Sequence, residues 1–257
     1  MKKRSVIIWV MAIGLVVTGV SKADVMGYTG TCTQFSVVYP TNLSTGEQIH
    51  PGLLTSIYQL DALEASTNGK LYALNVYGNF WEIDVIDWQT ASLILIKDDI
   101  FQINAYFGQS LAFAPNGKLY ATVEDPGDLF EIDVSTGDTT LVGSLSPFTA
   151  PMAFAINSQG RAVGWDEAAG WLFEVDLSDG STTSIDPISG NFDAFDFGPD
   201  GTLYGWDHGD LYSIDLDNCN KTYINSFEHS GRSLTVIPEP ATLLLLGLGA
   251  VMLRRKR

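Results

Sequence analysis

Two motifs return in step along this chain, and the spacing between their copies leaves few folds open. The clearest copy reads FAPNGKLYATVEDPGDLFEIDVSTGDTTLV, from Phe113 to Val142. An apolar run, Leu111 to Ala114, leads into Asn116-Gly117, a pair suited to the positive φ angles of a tight hairpin turn. Lys118 to Val123 reads as the returning strand. After a polar break at Glu124 to Asp128 comes LFEIDV, with Phe130, Ile132 and Val134 on one face and Glu131 and Asp133 on the other. That alternation is the period of a half-buried strand. STGD turns the chain again and TTLV is a fourth strand.

The turn glycine recurs at Gly69, Gly117, Gly160 and Gly201, with spacings 117 − 69 = 48, 160 − 117 = 43 and 201 − 160 = 41. The third strand recurs as FWEIDV ending at Val85, LFEVDL ending at Leu177 and LYSIDL ending at Leu216. Four strands in roughly 40 residues make one blade of a β-propeller. Full copies fall near 63–94, 111–142, 152–185 and 193–224.

A partial copy precedes them. NLSTGE, at Asn42 to Glu47, lines up with DVSTGD at Asp133 to Asp138, and FSVVY before it fits the third strand. No hairpin pair precedes FSVVY, so this copy lacks its opening strand. GRSLTV, from Gly231 to Val236, matches the opening strand GQSLAF at Gly108 to Phe113. The economical reading is closure, in which residues 231–236 complete a composite blade with 25–50 and remove exposed sheet edges. The expectation is an all-β, five-bladed propeller of four-stranded antiparallel blades, spanning 24–236 and closed by pairing of its terminal strands.

The chain ends are of another kind. Lys2, Lys3 and Arg4 precede an apolar run from Val6 to Val20 and the small residues of Ser21-Lys22-Ala23. Residues 1–23 therefore read as a signal peptide cleaved between Ala23 and Asp24, the alternative being an uncleaved anchor. The apolar run is short for a span of about 20 residues. From 237 onward, Pro238-Glu239-Pro240 is followed by ATLLLLGLGAVML and then Arg254-Arg255-Lys256-Arg257. Basic residues beyond an apolar run place that terminus on the cytoplasmic side and the body outside.

This ending, covering 237–257, resembles the PEP-CTERM sorting signal of Gram-negative bacteria. The resemblance implies export by the Sec machinery and a short C-terminal membrane helix that holds the protein transiently. It also implies cleavage by an exosortase near the PEP motif, in organisms that make exopolysaccharide. A plain tail anchor is the alternative.

The body from Asp24 to Ile237 carries 29 acidic residues (30 less Glu239) and six basic ones, Lys70, Lys97, Lys118, Arg161, Lys221 and Arg232, hence 6 − 29 = −23. A surface so acidic repels phosphate backbones, which argues against nucleic-acid binding, and attracts cations.

Candidate sites each carry a bland alternative. Asp84, Asp133, Asp176 and Asp215 share one position in four copies, just before a turn, where aspartate side chains bond the following backbone. A residue needed once for chemistry would not recur in every blade, so these are expected to be structural. Trp165-Asp166 and Trp206-Asp207 sit at equivalent second-strand positions. With no companion Gly-His they are not WD repeats, and packing between blades is their default role. Trp165, Asp166, Trp206, Asp207 and His208 are kept as ligand-binding candidates at the channel. For calcium, the oxygen-rich stretch Asp193, Asp196, Asp200, Asp207 and Asp210 is the candidate, though it lacks an EF-hand pattern. No other cofactor is expected. Protease, esterase, P-loop and dinucleotide motifs are absent, and His50, His208 and His229 share no ligand-like spacing. Cys32 and Cys219, the only cysteines, are a disulfide candidate across the ring closure; the alternative is two separately buried thiols.

The turn and third-strand pattern, from Leu63 to Ile224, resembles bacterial NHL-like or lactonase-like propeller repeats. The expected role is a non-catalytic scaffold or binding protein of the cell envelope or extracellular matrix, with polysaccharide as a candidate partner. The rival is a calcium-dependent hydrolase or lyase, and the discriminating feature is a set of three carboxylates converging in the central channel.

Overall fold

The computed structural model describes residues 25–33, 36–48, 53–87, 90–101, 109–227 and 231–237. The leader, Asp24, His50, His229, the PEP motif and the basic cluster lie outside them.

Strands follow one another without a helix among the described residues. In chain order they are β1 (Met26–Thr31), β2 (Val37–Asn42), β3 (Glu47–Gln48), β4 (Leu53–Leu54), β5 (Leu60–Ala65), β6 (Leu71–Asn75), β7 (Phe80–Asp87) and β8 (Thr90–Lys97). The third and fourth blades supply β9 (Gln109–Phe113), β10 (Leu119–Val123), β11 (Asp128–Ile132), β12 (Thr139–Ser144), β13 (Pro151–Ile156), β14 (Ala162–Asp166), β15 (Trp171–Val175) and β16 (Thr182–Pro187). The series ends with β17 (Phe192–Phe197), β18 (Leu203–Asp207), β19 (Asp210–Asp215), β20 (Asn220–Ser226) and β21 (Gly231–Val236).

Four blades are consecutive antiparallel meanders, β5 to β8, β9 to β12, β13 to β16 and β17 to β20. The other is the composite blade, ordered β21-β1-β2-β3 with β4 also on β2. Its closing pair is β1 with β21, in the register Gly27↔Val236 to Gly30↔Ser233. The five innermost strands touch in a closed ring, β21–β5–β9–β13–β17–β21.

The hairpins between first and second strands differ from a two-residue turn. Gly69, Gly117, Gly160 and Gly201 have φ of 81° to 87°, whereas the residue before each does not. Gly117 N–H donates to Ala114 O and Ala114 N–H to Lys118 O, both at 2.9 Å, which leaves three residues in the loop. Such a loop needs positive φ only at its glycine. Asn116 contributes otherwise, its Oδ1 accepting Lys118 N–H at 3.0 Å.

The core is divided among the seams between blades. One cluster joins β13 and β14 to β17 and β18 through Trp165, Phe192 and Phe195. Another carries the closure, with Val25, Leu43, Leu234 and Val236 packed on Ala194, Tyr204, Trp206 and Leu211. Three more fill the remaining seams. The aromatic residues of the repeat are thus used between blades, where flat faces meet and large side chains pack most area.

Candidate functional site

An innermost strand has one unpaired edge, and its buried N–H groups must find partners. Side chains of the neighbouring blade supply them. Asp61 Oδ2 accepts Gln109 N–H at 3.0 Å and Glu64 Oε1 accepts Phe113 N–H at 2.9 Å, both from β5 to β9. Ser110 accepts Phe154 N–H at 3.1 Å, Thr235 accepts Ala65 N–H at 2.9 Å and Asp196 accepts Val236 N–H at 2.6 Å. Polar residues inside apolar strands such as LDALEA and FDAFDF answer this need.

Away from the hairpins, the five inner strands carry Asp61, Gln109, Met152, Asp193 and Arg232 at one register position. Four of these are the extra residue of a β-bulge, since the register slips across Asp61, Met152, Asp193 and Arg232 in the same place. A bulge re-aims the side chain it carries. Arg232 Nη1 lies 3.6 Å from Asp61 Oδ1. Asp193 Oδ2 accepts His208 N–H at 3.3 Å and lies 3.4 Å from its Nδ1. Burial raises Asp61 to about 6, although Gln109 N–H and Arg232 oppose it. Burial also raises Asp193, against His208 and Arg232, and lifts the Cys32 thiol to about 11 with help from Asp61. Glu124, facing Glu167, is raised mainly by burial. Both amide atoms of Gln109 are buried and have no hydrogen-bond partner among the described residues.

At the hairpin end, Glu64, Thr235 and Asp196 occupy one register position in three adjacent blades. Thr235 Oγ1 lies 3.1 Å from Glu64 Oε2 and 3.2 Å from Asp196 Oδ2, and its single proton serves one of them at a time. Burial, then the Asp196 charge, holds Glu64 well above the usual carboxylate range. Burial takes Asp196 to about 7. The pair opens onto a cavity of about 420 Å³, walled by Phe113, Pro115, Ile156, Phe197, Pro199 and Val236.

The residues singled out in the sequence are dispersed. Trp165 and Trp206 are buried in seams, against Phe192 and Phe227 respectively. Asp166 is buried and accepts Ala150 N–H and Ala169 N–H, both at 2.7 Å. Asp207 bonds Asn191 N–H and the Lys221 ammonium. His208 alone of the five presents an exposed side chain at the channel mouth.

The calcium candidates do not converge. Asp193 meets His208, Asp196 is at Thr235, Asp200 caps its hairpin at Thr202 N–H, Asp207 holds Lys221 and Asp210 bonds Ser226 and Tyr212. Among the described residues no three His, Cys, Asp or Glu side chains are placed to hold one metal ion. Three of the four repeated aspartates fold their turns: Asp133, Asp176 and Asp215 accept Ser135, Ser178 and Asp217 N–H at 2.8 to 2.9 Å. Asp84 does not precede a turn, because β7 runs on to Asp87 and pairs Asp84 with Ser92.

Cys32 and Cys219 are both free thiols, so the expected bridge is not formed in this structure. Cys219 packs into the seam between β13–β16 and β17–β20, facing Asp186 and Arg161, on the side away from the composite blade. Cys32 faces Asp61 and Arg232 instead. Adjacent blades meet along one seam, and the two thiols belong to different seams.

Sequence reasoning missed Asp61, Glu64, Gln109, Arg232 and Thr235. Their one signal was a polar residue in an otherwise apolar opening strand.

The fold is shared widely at low identity. A chain in the crystal structure of a nidogen/laminin complex matches with TM-score 0.56 and 11% identity, over 84% of this chain and 99% of that one. A gluconolactonase-family propeller matches with TM-score 0.55 and 10% identity, over 83% and 82%. At such identity the likeness is one of fold. No curated protein matches the sequence. Residues 236–257 match the PEP-CTERM protein-sorting motif. No helix among the described residues is long and apolar enough to cross a membrane; the apolar run beyond Pro240 lies outside them. The chain is thus an exported protein, a five-bladed β-propeller that ends in a PEP-CTERM sorting motif for processing at the cell envelope.

Proposed function

We propose that the propeller is a non-catalytic binding or scaffold protein of the envelope or extracellular matrix of a Gram-negative bacterium. In this reading it is exported by the Sec machinery, freed by an exosortase, and binds polysaccharide with its bulge-lined face. One observation carries this choice. Tyr58 and Tyr77 stand exposed near Asp61, their rings stacked at 5.8 Å and 18°. Exposed, rigid aromatic faces suit the apolar faces of sugar rings, and neighbouring carboxylates accept sugar hydroxyls. Trp171, two blades away at the start of β15, is a second exposed aromatic, 36% accessible.

The hydrolytic alternative asks for carboxylates free to hold a metal or move a proton. Asp61, Asp166, Asp193 and Asp207 are instead committed to backbone N–H groups, Arg232 or Lys221. Co-sedimentation of the processed protein with the host's own exopolysaccharide tests the proposal. Binding is expected to fall at least tenfold in a Tyr58→Ala/Tyr77→Ala double variant, an anchor-type loss of about 1.4 kcal/mol or more. Unchanged binding in that variant would remove the tyrosine surface from the proposal. Release of new reducing ends from the polysaccharide would favour the hydrolase.

A further inference from the structure

Thr235 is the middle link of a hydrogen-bonded chain that crosses three blades. It stands on β21, the closing strand, between Glu64 of β5 and Asp196 of β17. Its Oγ1 accepts Ala65 N–H at 2.9 Å and lies 3.1 Å from Glu64 Oε2 and 3.2 Å from Asp196 Oδ2. A hydroxyl has one proton to give, so one of those two contacts needs a proton from a carboxyl. The backbone decides which. Asp196 accepts Phe197 N–H at 2.7 Å on one oxygen and Val236 N–H at 2.6 Å on the other, and such bonds favour an anion. Glu64 Oε1 accepts Phe113 N–H, while its Oε2 is set against the Thr235 hydroxyl. The proton therefore belongs to Glu64, whose O–H donates to Thr235 while Thr235 donates to Asp196.

No neighbouring group can take over that proton's work. Level with the chain, the other two inner strands carry Ala112 and Ala155. Behind it, the second strands set Tyr72, Tyr204 and Tyr28 against Glu64, Asp196 and Thr235. Burial raises the Tyr28 and Tyr72 phenols, so neither brings a charge near neutral pH. Among the described residues no lysine, arginine or histidine contributes to the pair. Burial, then the Asp196 charge, makes Glu64 hold its proton more tightly folded than unfolded. The chain is thus complete in acid and is lost as pH rises through the folded-state value.

Once the proton leaves, Thr235 remains committed to Asp196, and Glu64 Oε2 faces the Thr235 oxygen with no proton between them. Glu64 has somewhere to go. It lines the cavity of about 420 Å³ at the hairpin end, where a carboxylate recovers the hydration it lacks in the seam. We infer that Glu64, Thr235 and Asp196 form a one-proton latch between β5 and the closing strand. With the proton in place the latch is shut. Without it Glu64 swings into the cavity, the β5–β21 seam loosens at its hairpin end, and a largely apolar pocket acquires a negative charge.

Amide hydrogen exchange on the full chain in neutral detergent tests the latch from about pH 6 to about pH 10. Rates are compared as protection factors, which removes the base catalysis of exchange itself. Ala65 and Phe113 N–H, accepted by Thr235 and Glu64, are expected to lose protection at least about tenfold across that range. Phe197 and Val236 N–H, bonded to Asp196, and Phe154 N–H, bonded to Ser110, are expected to keep theirs. Equal loss at all five amides would report loosening of the whole ring and overturn the latch, as would constant protection at Ala65 and Phe113. Glu64→Gln, whose amide can donate to Thr235 at every pH, is expected to hold those two amides protected throughout. A Glu64→Gln profile that follows wild type also overturns the latch. Should that variant not fold, the wild-type contrast between the two groups of amides decides alone.

Discussion

At one end of the channel the buried acids share a cation, and at the other they have only each other. Asp61 and Asp193 face Arg232, so their charges are offset where the channel opens. Glu64 and Asp196 meet across Thr235, and among the described residues no basic side chain contributes to their environment. Yet Asp61, Glu64 and Asp196 do the same local work, accepting N–H groups from a neighbouring inner strand. Backbone satisfaction explains why polar residues line the axis. The reach of a cation then decides which of them are ionised. Two buried carboxylates on one hydroxyl cannot both hold charge cheaply, so the hairpin end keeps a proton near neutral pH.

The largest test of this contrast is removal of the strand that serves both ends. β21 supplies Arg232 to one and Thr235 to the other. A chain stopped at His229 is expected to lose its cooperative thermal transition, whereas one stopped at Ile237 keeps it. Equal melting of the two would show that neither end depends on closure. A smaller effect is expected from Arg232→Met, which strands Asp61, itself 3% exposed, without its partner. The Arg232 side chain is 31% exposed, so the loss should sit at the low end for a broken buried pair, about 3 kcal/mol by urea denaturation. A loss below about 1 kcal/mol would mean that water already screens that end.

The smallest and most discriminating test uses pH. Glu64 and Asp196 hold protons more tightly in the folded state than in the unfolded one, so stability falls as pH rises through about 7, the value for Asp196. Asp61 adds a fall of the same sign through about 6. Asp133 and Asp176, lowered chiefly by Ser135 and Ser178, act oppositely: their contribution is present above the usual carboxylate range and lost on acidification. Maximum stability is therefore expected in mild acid, with a decline of at most about 1.4 kcal/mol per pH unit for each proton released. Asp196→Asn should flatten the part of the decline that runs up to about 7, Asp61→Asn the part that runs up to about 6, and Glu64→Gln should make the whole decline shallower. A Glu64→Gln curve that superimposes on wild type would dissolve the distinction between the two ends.

Periodicity carried the fold. The spacing of Gly69, Gly117, Gly160 and Gly201 and the repeated third strand gave blade number, strand order and closure, because every blade solves the same packing problem with similar residues. The Asx turns were legible for the same reason. The channel was not. Arg232 meets Asp61 across 171 residues (232 − 61) and a ring closure, and a bulge that aims a side chain has no sequence mark of its own. The cysteine pair failed for a related reason, since blade adjacency does not say which seam a turn faces. Pattern marks what repeats, whereas the acids and the arginine occur once each.

The pairing of Gly27 with Val236 spans 209 residues (236 − 27) and ends one residue short of Pro238 by way of Ile237. Contacts of such sequence separation form late, because the entropy of closing the loop is lost before the contact returns anything. The ring is thus shut by the last strand to be synthesised. Until it arrives, the inner edge of β1 lies open and Asp196, Ala65 and Glu64 lack their partners. A chain of this design leaves its ring open until residues 231–236 are in place, so the step that completes the inner strands is also the one of longest sequence separation.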